Sequence, residues 1–144
     1  MTQEEKQLLL KDLCARLPYV TYYDLSYYGH KTRAILQEFI ATKEPLKSLV
    51  KVNTIVGPIP YENIKPYLRP LSSMTEEERK EFMHIFDGPI IYDENSNLVT
   101  GFECNTFEQF VLLENWLNSH HFDYRGLIEK SLALEAPDDM YKNE

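Results

Sequence analysis

The stretch YVTYYDLSYY, residues 19–28, decides the fold class, because it places a β-strand between segments with helical patterns. Tyrosine, valine and threonine favour extended backbone. Side chains alternate between the faces of a strand, so one face would carry Tyr19, Thr21, Tyr23, Leu25 and Tyr27, and the other Val20, Tyr22, Asp24, Ser26 and Tyr28. We expect the first face to lie in the core. The second face leaves Tyr22 and Tyr28 available to a partner, although strand propensity alone also explains the tyrosines.

The segments that follow extend the predicted sheet. RAILQEFIAT (33–42) and LKSLVKVN (46–53) are compatible with strands, although a helix fits the first of them as well. Pro58, Pro60, Pro66 and Pro70 predict an extended and irregular chain over residues 57–71. Residues 89–103 have the pattern of a β-hairpin with a polar tip.

Helix starts are marked by three capping boxes, Thr2 to Glu5, Thr75 to Glu78 and Thr106 to Gln109. The apolar faces expected to be buried are Leu10, Leu13, Cys14 and Leu17 in the first helix, Phe82, Met83 and Phe86 in the second, and Phe107, Phe110, Val111, Leu113, Trp116 and Leu117 in the third. Because its face is the widest, we expect the third helix to be the most buried.

The order of these elements predicts an α+β protein with an N-terminal helix, a small antiparallel sheet, and then helices with a β-hairpin. A further short helix, followed by an extended or frayed tail, is expected over residues 123–136. The length of 144 residues fits a single domain over residues 1–144, with an acidic tail from about residue 137 that we expect to be flexible.

Composition limits the classes of ligand. The formal net charge of −8 makes nucleic acid and anionic membranes poor ligands, and a basic patch on another protein a better one. The two cysteines, Cys14 and Cys104, lack the spacing of a zinc module. No secretion signal or membrane span is recognisable, so we expect a cytoplasmic protein with reduced thiols.

The stretch NSHHFDYRG, residues 118–126, is the main candidate for chemistry. His120 and Asp123 could share a helix face and serve a metal-assisted hydrolase, but a zinc site needs three or four ligands and no second histidine pair exists. We favour a structural corner. In it, His120 and His121 end a helix, Phe122 enters the core, Asp123 caps the next helix, and Arg125 stays near the surface and pairs with an acid.

Other motifs for catalysis or cofactors are missing from the sequence. DENSN (93–97) matches the start of a calcium loop, but Leu98 and Cys104 occupy positions that require glycine and glutamate, so a turn is the better interpretation. No nucleophile motif or phosphate-binding glycine loop is present. We therefore predict no catalytic residue, no metal site and no cofactor.

Three blocks carry a resemblance to a known family: EEKQLLLKDLCARLPY (4–19), IKPYLRPLSSMTEEE (64–78) and NWLNSHHFDYRGLIEKSLALEAP (115–137). Together they resemble a family of short uncharacterised proteins encoded in gut-bacterial genomes, often near prophage genes. The resemblance implies a bacterial cytoplasm and a mobile-element setting. It implies no catalytic residue.

These observations lead to one preferred hypothesis and two alternatives. The preferred hypothesis is a small cytoplasmic protein that is not an enzyme and acts by binding another protein. The first alternative is a metal-assisted hydrolase that uses His120 and Asp123. The second is an acidic decoy that mimics nucleic acid, which predicts carboxylates arrayed on one face.

Overall fold

The computed structural model describes residues 1–25, 34–44, 47–53, 57–85, 90–93, 99–103 and 106–142. Its helices are α1 (Gln3–Arg16), α2 (Glu76–Ile85) and α3 (Phe107–Ser119), and its strands are β1 (Tyr22–Asp24), β2 (Ala34–Ile40), β3 (Leu49–Val52), β4 (Ile59–Pro60), β5 (Lys65–Pro70), β6 (Ile90–Tyr92), β7 (Val99–Phe102), β8 (Phe122–Asp123) and β9 (Leu134–Glu135). This content confirms the α+β class. No described helix is both long and apolar enough to cross a membrane.

The chain divides into two compact units. The first unit comprises residues 1–68 and 125–144, and the second comprises residues 69–124. A single domain over residues 1–144 stays a prediction.

Helix α1 begins at the predicted capping box, in which Thr2 and Glu5 bond each other's backbone N–H groups at 2.7 and 3.1 Å. Its buried face consists of Leu9, Asp12, Leu13 and Arg16, which are spaced three or four residues apart. Of the predicted face, Leu13 is buried, and Leu10 and Leu17 are partly buried against the same core. Cys14 is exposed. The prediction was based on apolar residues only and therefore missed Asp12 and Arg16. These two residues can be buried because their opposite charges form an ion pair.

The sheet of the first unit has the order β4-β3-β2-β1-β5 and is antiparallel over these strands. Tyr23 pairs with Ala34 on one side and with Pro66 on the other. Strand β9 adds to β5 in the parallel direction, so the sheet is mixed rather than purely antiparallel. The strand alternative for residues 33–42 is correct over Ala34–Ile40, whose inner side chains join the core against α1.

The prediction of an extended and irregular chain over residues 57–71 is correct in that the chain is extended over β4 and β5, and wrong in that these segments are regular strands. Pro60 lies in the edge strand β4, where a missing N–H donor is tolerated. Pro66 lies inside β5, but β1 pairs with residues 65 and 66 and β9 with residues 67 and 68. Each neighbouring strand therefore pairs with only part of β5. A proline is tolerated in β5 because the strand has no continuous ladder of hydrogen bonds to one neighbour.

The C-terminal residues of the first unit contact the same sheet. The Tyr141 hydroxyl accepts a hydrogen bond from the Tyr22 backbone N–H at 3.0 Å and donates one to the Tyr67 carbonyl at 2.8 Å. The hydroxyl thus bridges β1 and β5 where their direct pairing ends. Met140 is buried, while flexibility of the tail from about residue 137 stays a prediction.

The second unit packs α2 and α3 around an aromatic core. Phe82 lies 4.9 Å from both Trp116 and Phe102, measured between ring centroids, and Phe122 stacks on Trp116 at 5.8 Å. The last two residues of β5 pair in parallel with β8. Strands β6 and β7 form the predicted hairpin, whose polar tip, residues 94–98, lies outside the described residues.

Two predictions about the corner after α3 are wrong. Asp123 caps no helix; it lies in β8 and pairs with Pro70. No described residue of the range 123–136 is helical. A helix cannot form here because the backbone enters the left-handed region at Gly126 and Ser131, whose φ angles are 74° and 60°. A right-handed helix cannot continue through such residues.

Candidate interaction surface

The first half of α3 is exposed to solvent, contrary to the prediction that this helix is the most buried. The exposed fractions are 80% for Phe107, 43% for Phe110, 38% for Val111 and 45% for Leu112. Leu113, Trp116 and Leu117, in contrast, lie in the core of the second unit. The wide apolar face therefore has two parts, of which only the C-terminal part is covered. The exposed part of the predicted face, Phe107, Phe110 and Val111, together with Leu112, which the prediction did not include, is termed the α3 apolar surface.

Helical geometry makes three of these residues neighbours, whereas Leu112 lies about 100° further round the helix than Val111. Phe107, Phe110 and Val111 have the spacing i, i+3 and i+4, so their side chains are neighbours on one face. The exposed fractions of the four residues correspond to on the order of 400 Å², of which about 300 Å² belongs to the row of three, if a large apolar side chain has ~200 Å² of surface. Apolar patches of ~300–600 Å² on single proteins are often functional.

Helix α3 is held firmly beneath this surface. The Thr106 hydroxyl accepts a hydrogen bond from the Gln109 backbone N–H at 3.1 Å, as the capping pattern predicts. The Trp116 indole N–H donates to the Glu81 carboxylate of α2 at 3.3 Å. The exposed phenylalanines are thus presented by a capped helix that is anchored at its other end.

An ion pair ties β5 to α2 within the same unit. Arg69 donates to both carboxylate oxygens of Glu78, at 2.7 and 2.6 Å, and its guanidinium lies 4.3 Å from the centre of the Phe122 ring. Burial of Glu78 opposes ionisation, but the hydrogen bonds from Arg69 and Thr75 and the Arg69 charge outweigh it. The pKa of Glu78 therefore lies below its ordinary value of 4.5.

Charge is divided unequally between the two units. By sequence, residues 69–124 contain three basic and eleven acidic residues, a formal charge of −8, whereas the first unit contains twelve of each. The entire net charge of the protein therefore belongs to the unit that carries the α3 apolar surface.

A signal for this division was present in the sequence and was missed. No lysine or arginine occurs between Lys80 and Arg125, while eight acidic residues do. The signal lies in the length of chain without a basic residue, and neither the total charge nor the clusters of basic residues reveal it. The apolar surface could not be found in this way, because an apolar helical face predicts burial.

The histidines of NSHHFDYRG lie at the C-terminal end of α3. The His120 ring stacks on Trp116 at 4.0 Å, its Nδ1 lies 2.9 Å from the Trp116 carbonyl oxygen, and its Nε2 lies 3.7 Å from the Glu81 carboxylate.

His121 and Asp123 are buried, and His121 has a φ of 65°. Phe122 is fully buried, as predicted. Within the described residues, no three histidine, cysteine or acidic side chains are grouped to hold a metal ion.

The predicted tyrosine contacts are only partly described. Over residues 21–25 the expected alternation is present: Thr21, Tyr23 and Leu25 are buried, and Tyr22 is half-buried. The Tyr22 ring stacks on Tyr141 of the same chain, with centroids 5.6 Å apart. Tyr28 lies outside the described residues. A binding role for Tyr22 and Tyr28 stays a prediction.

Arg125 belongs to a buried polar cluster in the first unit. Asp12 accepts hydrogen bonds from Arg16 and Arg125, both at 2.8 Å, and Asp12 and Arg16 are fully buried. Arg125 pairs with an acid as predicted, but its side chain is only 8% exposed rather than near the surface. Burial raises the pKa of the nearby Tyr23 hydroxyl, and the Asp12 charge raises it further. The Asp12 carboxylate thus links α1 to the C-terminal segment by binding two guanidiniums, and this cluster of Asp12, Arg16 and Arg125 is termed the clamp.

Comparison with known proteins gives no family: no family model matches the chain, and neither a curated protein nor a solved structure is significantly similar to it.

Proposed function

We propose that this protein acts by binding another protein through the α3 apolar surface. The observation that carries the proposal is the exposure of Phe107, Phe110, Val111 and Leu112 on a capped, anchored helix. Exposed phenylalanine in contact with water is unfavourable, and buried aromatic side chains supply much of the energy at protein interfaces. A partner that covers these residues would therefore gain most of its binding energy from them.

The setting is part of the same proposal. The resemblance to proteins encoded near prophage genes supports a bacterial, mobile-element protein, and the absence of cysteine pairs at zinc or disulfide spacings supports a cytoplasmic one. The partner is then another cytoplasmic protein of the bacterium or of the mobile element.

Site-specific photo-crosslinking in the natural host tests the proposal. Benzoylphenylalanine, a photoreactive analogue of phenylalanine, is placed at Phe107 or, as a control, at Val20 of the first unit, which is 53% exposed. We expect a discrete protein adduct from position 107 that is absent from position 20. The adduct should disappear when Phe110→Ser is added. Equal adducts from the two positions, or none from position 107, would contradict the proposal.

A nucleic-acid-mimicking decoy is the second candidate, and the unequal division of charge is the observation that favours it. Such a decoy would occupy the basic nucleic-acid site of its partner, and its binding would depend on carboxylates. A decoy should keep its partner after Phe107→Ser and Phe110→Ser and should lose it at high salt. Loss of the partner in these two variants would favour the α3 apolar surface instead.

A further inference from the structure

The size of the α3 apolar surface limits what can cover it. Stable protein interfaces bury ~800 Å² on each partner, about twice the exposed area of the four residues. The surface is therefore suited to a short segment that docks on two helical turns rather than to a large obligate interface. Phe107, Phe110 and Val111 lie in one row, which suits a helix with apolar side chains along one face.

Carboxylates lie beside the row. Glu108 is exposed in the first turn of α3, and Glu103 is exposed just before the helix. Glu114 follows Val111 by less than one turn, and its position continues the row of Phe107 and Val111. A chain laid along the apolar residues therefore has Glu108 at one side and Glu114 at the end of the row.

Basic residues that could attract an acidic partner are few in the second unit. Its sequence has three, of which Arg69 is held by Glu78 at 2.6 Å and Arg79 lies 3.6 Å from Glu76. Lys80 is exposed on α2. Electrostatic complementarity therefore favours a positively charged segment and disfavours an acidic one.

A second copy of this chain is a poor occupant for the same reason. Pairing two copies through the α3 apolar surface would bring together two units that each carry a formal charge of −8. Like charges placed against each other oppose association. A purely polar basic site is also a poor occupant, because it would leave the exposed phenylalanines without apolar contacts.

We infer that the α3 apolar surface binds a basic amphipathic segment of a partner protein, with apolar side chains on one face and lysine or arginine beside them. This inference rests on the proposed function and names the chemistry of the partner. The apolar face packs on Phe107, Phe110 and Val111, and the cations lie near Glu108 and Glu114.

Three synthetic helical peptides test the inference in titrations of the purified full-length protein. The first has leucine on one face and lysine beside it, the second has glutamate in place of lysine, and the third has serine in place of leucine. We expect the first peptide to bind, the other two to bind at least about ten-fold more weakly, and the affinity of the first to fall as salt rises.

Matched variants locate the binding. Phe107→Ser should weaken the first peptide by about ten-fold or more, whereas Val20→Ser should leave it unchanged. Glu108→Lys should weaken it by about three-fold or more, whereas Glu4→Lys should not. Glu4 is a strict control because it too is an exposed acid in the first turn of a helix. Circular dichroism confirms that each variant is folded.

Several outcomes would overturn the inference. The acidic peptide could bind as tightly as the basic one, the serine peptide could bind as tightly as the leucine peptide, or no peptide could bind. A dimer that dissociates on Phe107→Ser would make a second copy the occupant. If one of these results accompanies a specific crosslink from position 107 to a different protein, the chemistry named here is wrong and the proposed function stands. Without that crosslink, the proposed function itself fails.

Discussion

Asp12→Asn is expected to destabilise the first unit by about 3–5 kcal/mol, the usual cost of removing one partner from a buried ion pair. The carboxylate is fully buried and accepts hydrogen bonds from Arg16 and Arg125. The amide of asparagine has nearly the same shape. The variant therefore removes the negative charge and replaces one hydrogen-bond acceptor by a donor, without leaving a cavity.

The magnitude follows from the geometry. A hydrogen bond to a charged group contributes ~1.5–3 kcal/mol, and both bonds at Asp12 are 2.8 Å long. The two guanidiniums also lose the negative charge that stabilises them inside the protein. A loss of this size is a large fraction of the ~5–15 kcal/mol that stabilises a typical protein.

Urea unfolding followed by far-ultraviolet circular dichroism measures the effect, and hydrogen exchange of α1 and of β1 to β3 assigns it to the first unit. The matched control is Glu129→Gln, which changes an exposed carboxylate of the same unit and should stay within about 0.5 kcal/mol. Adding Arg125→Met to Asp12→Asn should cost less than the two single losses together, because the two residues share one interaction.

A loss below about 1 kcal/mol for Asp12→Asn, or full additivity with Arg125→Met, would refute the clamp. Either result would mean that the β9 pairing, the Tyr141 hydrogen bonds and apolar packing hold the C-terminal segment without help from Asp12.

Two further predictions concern the second unit. The pKa of Glu78 lies below its ordinary value of 4.5, so its ion pair with Arg69 stabilises the folded state above that pH, and this stability is lost as pH falls through the lowered pKa. Urea midpoints measured by Trp116 fluorescence should fall in this acid range, and Glu78→Gln should remove that part of the fall. On α2, Phe82→Ala should cost about 3–5 kcal/mol, whereas its exposed neighbour Met83→Ala should stay within about 0.5 kcal/mol in the same assay.

Local signals in the sequence predicted local structure well. Capping pairs such as Thr75 and Glu78 predicted helix starts because both partners lie within one turn and their hydrogen bonds need no other part of the chain. The hairpin over residues 89–103 and the alternating burial around Tyr23 are also short-range features. Such features can be predicted because their cause lies within the segment that shows them.

The errors arose where burial depends on distant segments. Met83 and Phe107 belong to apolar patterns, but a pattern does not say whether the chain supplies a covering element. Asp12 is buried because Arg125, more than a hundred positions away in the sequence, reaches it. The candidate surface was therefore predicted as core. An acidic partner for Arg125 was predicted, but its identity as Asp12 and the burial of the pair were not.

The bridge made by Tyr141 has a consequence for synthesis on the ribosome. Residues 69–124 form one contiguous unit and can fold once they have emerged, whereas the sheet that begins with β1 is not complete until β9 and Tyr141 have been made. The long separation between these pairing partners slows their association. We therefore expect the residues of β5 that pair with β9 to stay unpaired while the later residues are translated. Pulsed proteolysis of stalled nascent chains should find residues 69–124 protected first, and residues 1–68 protected only after residue 141 has left the tunnel.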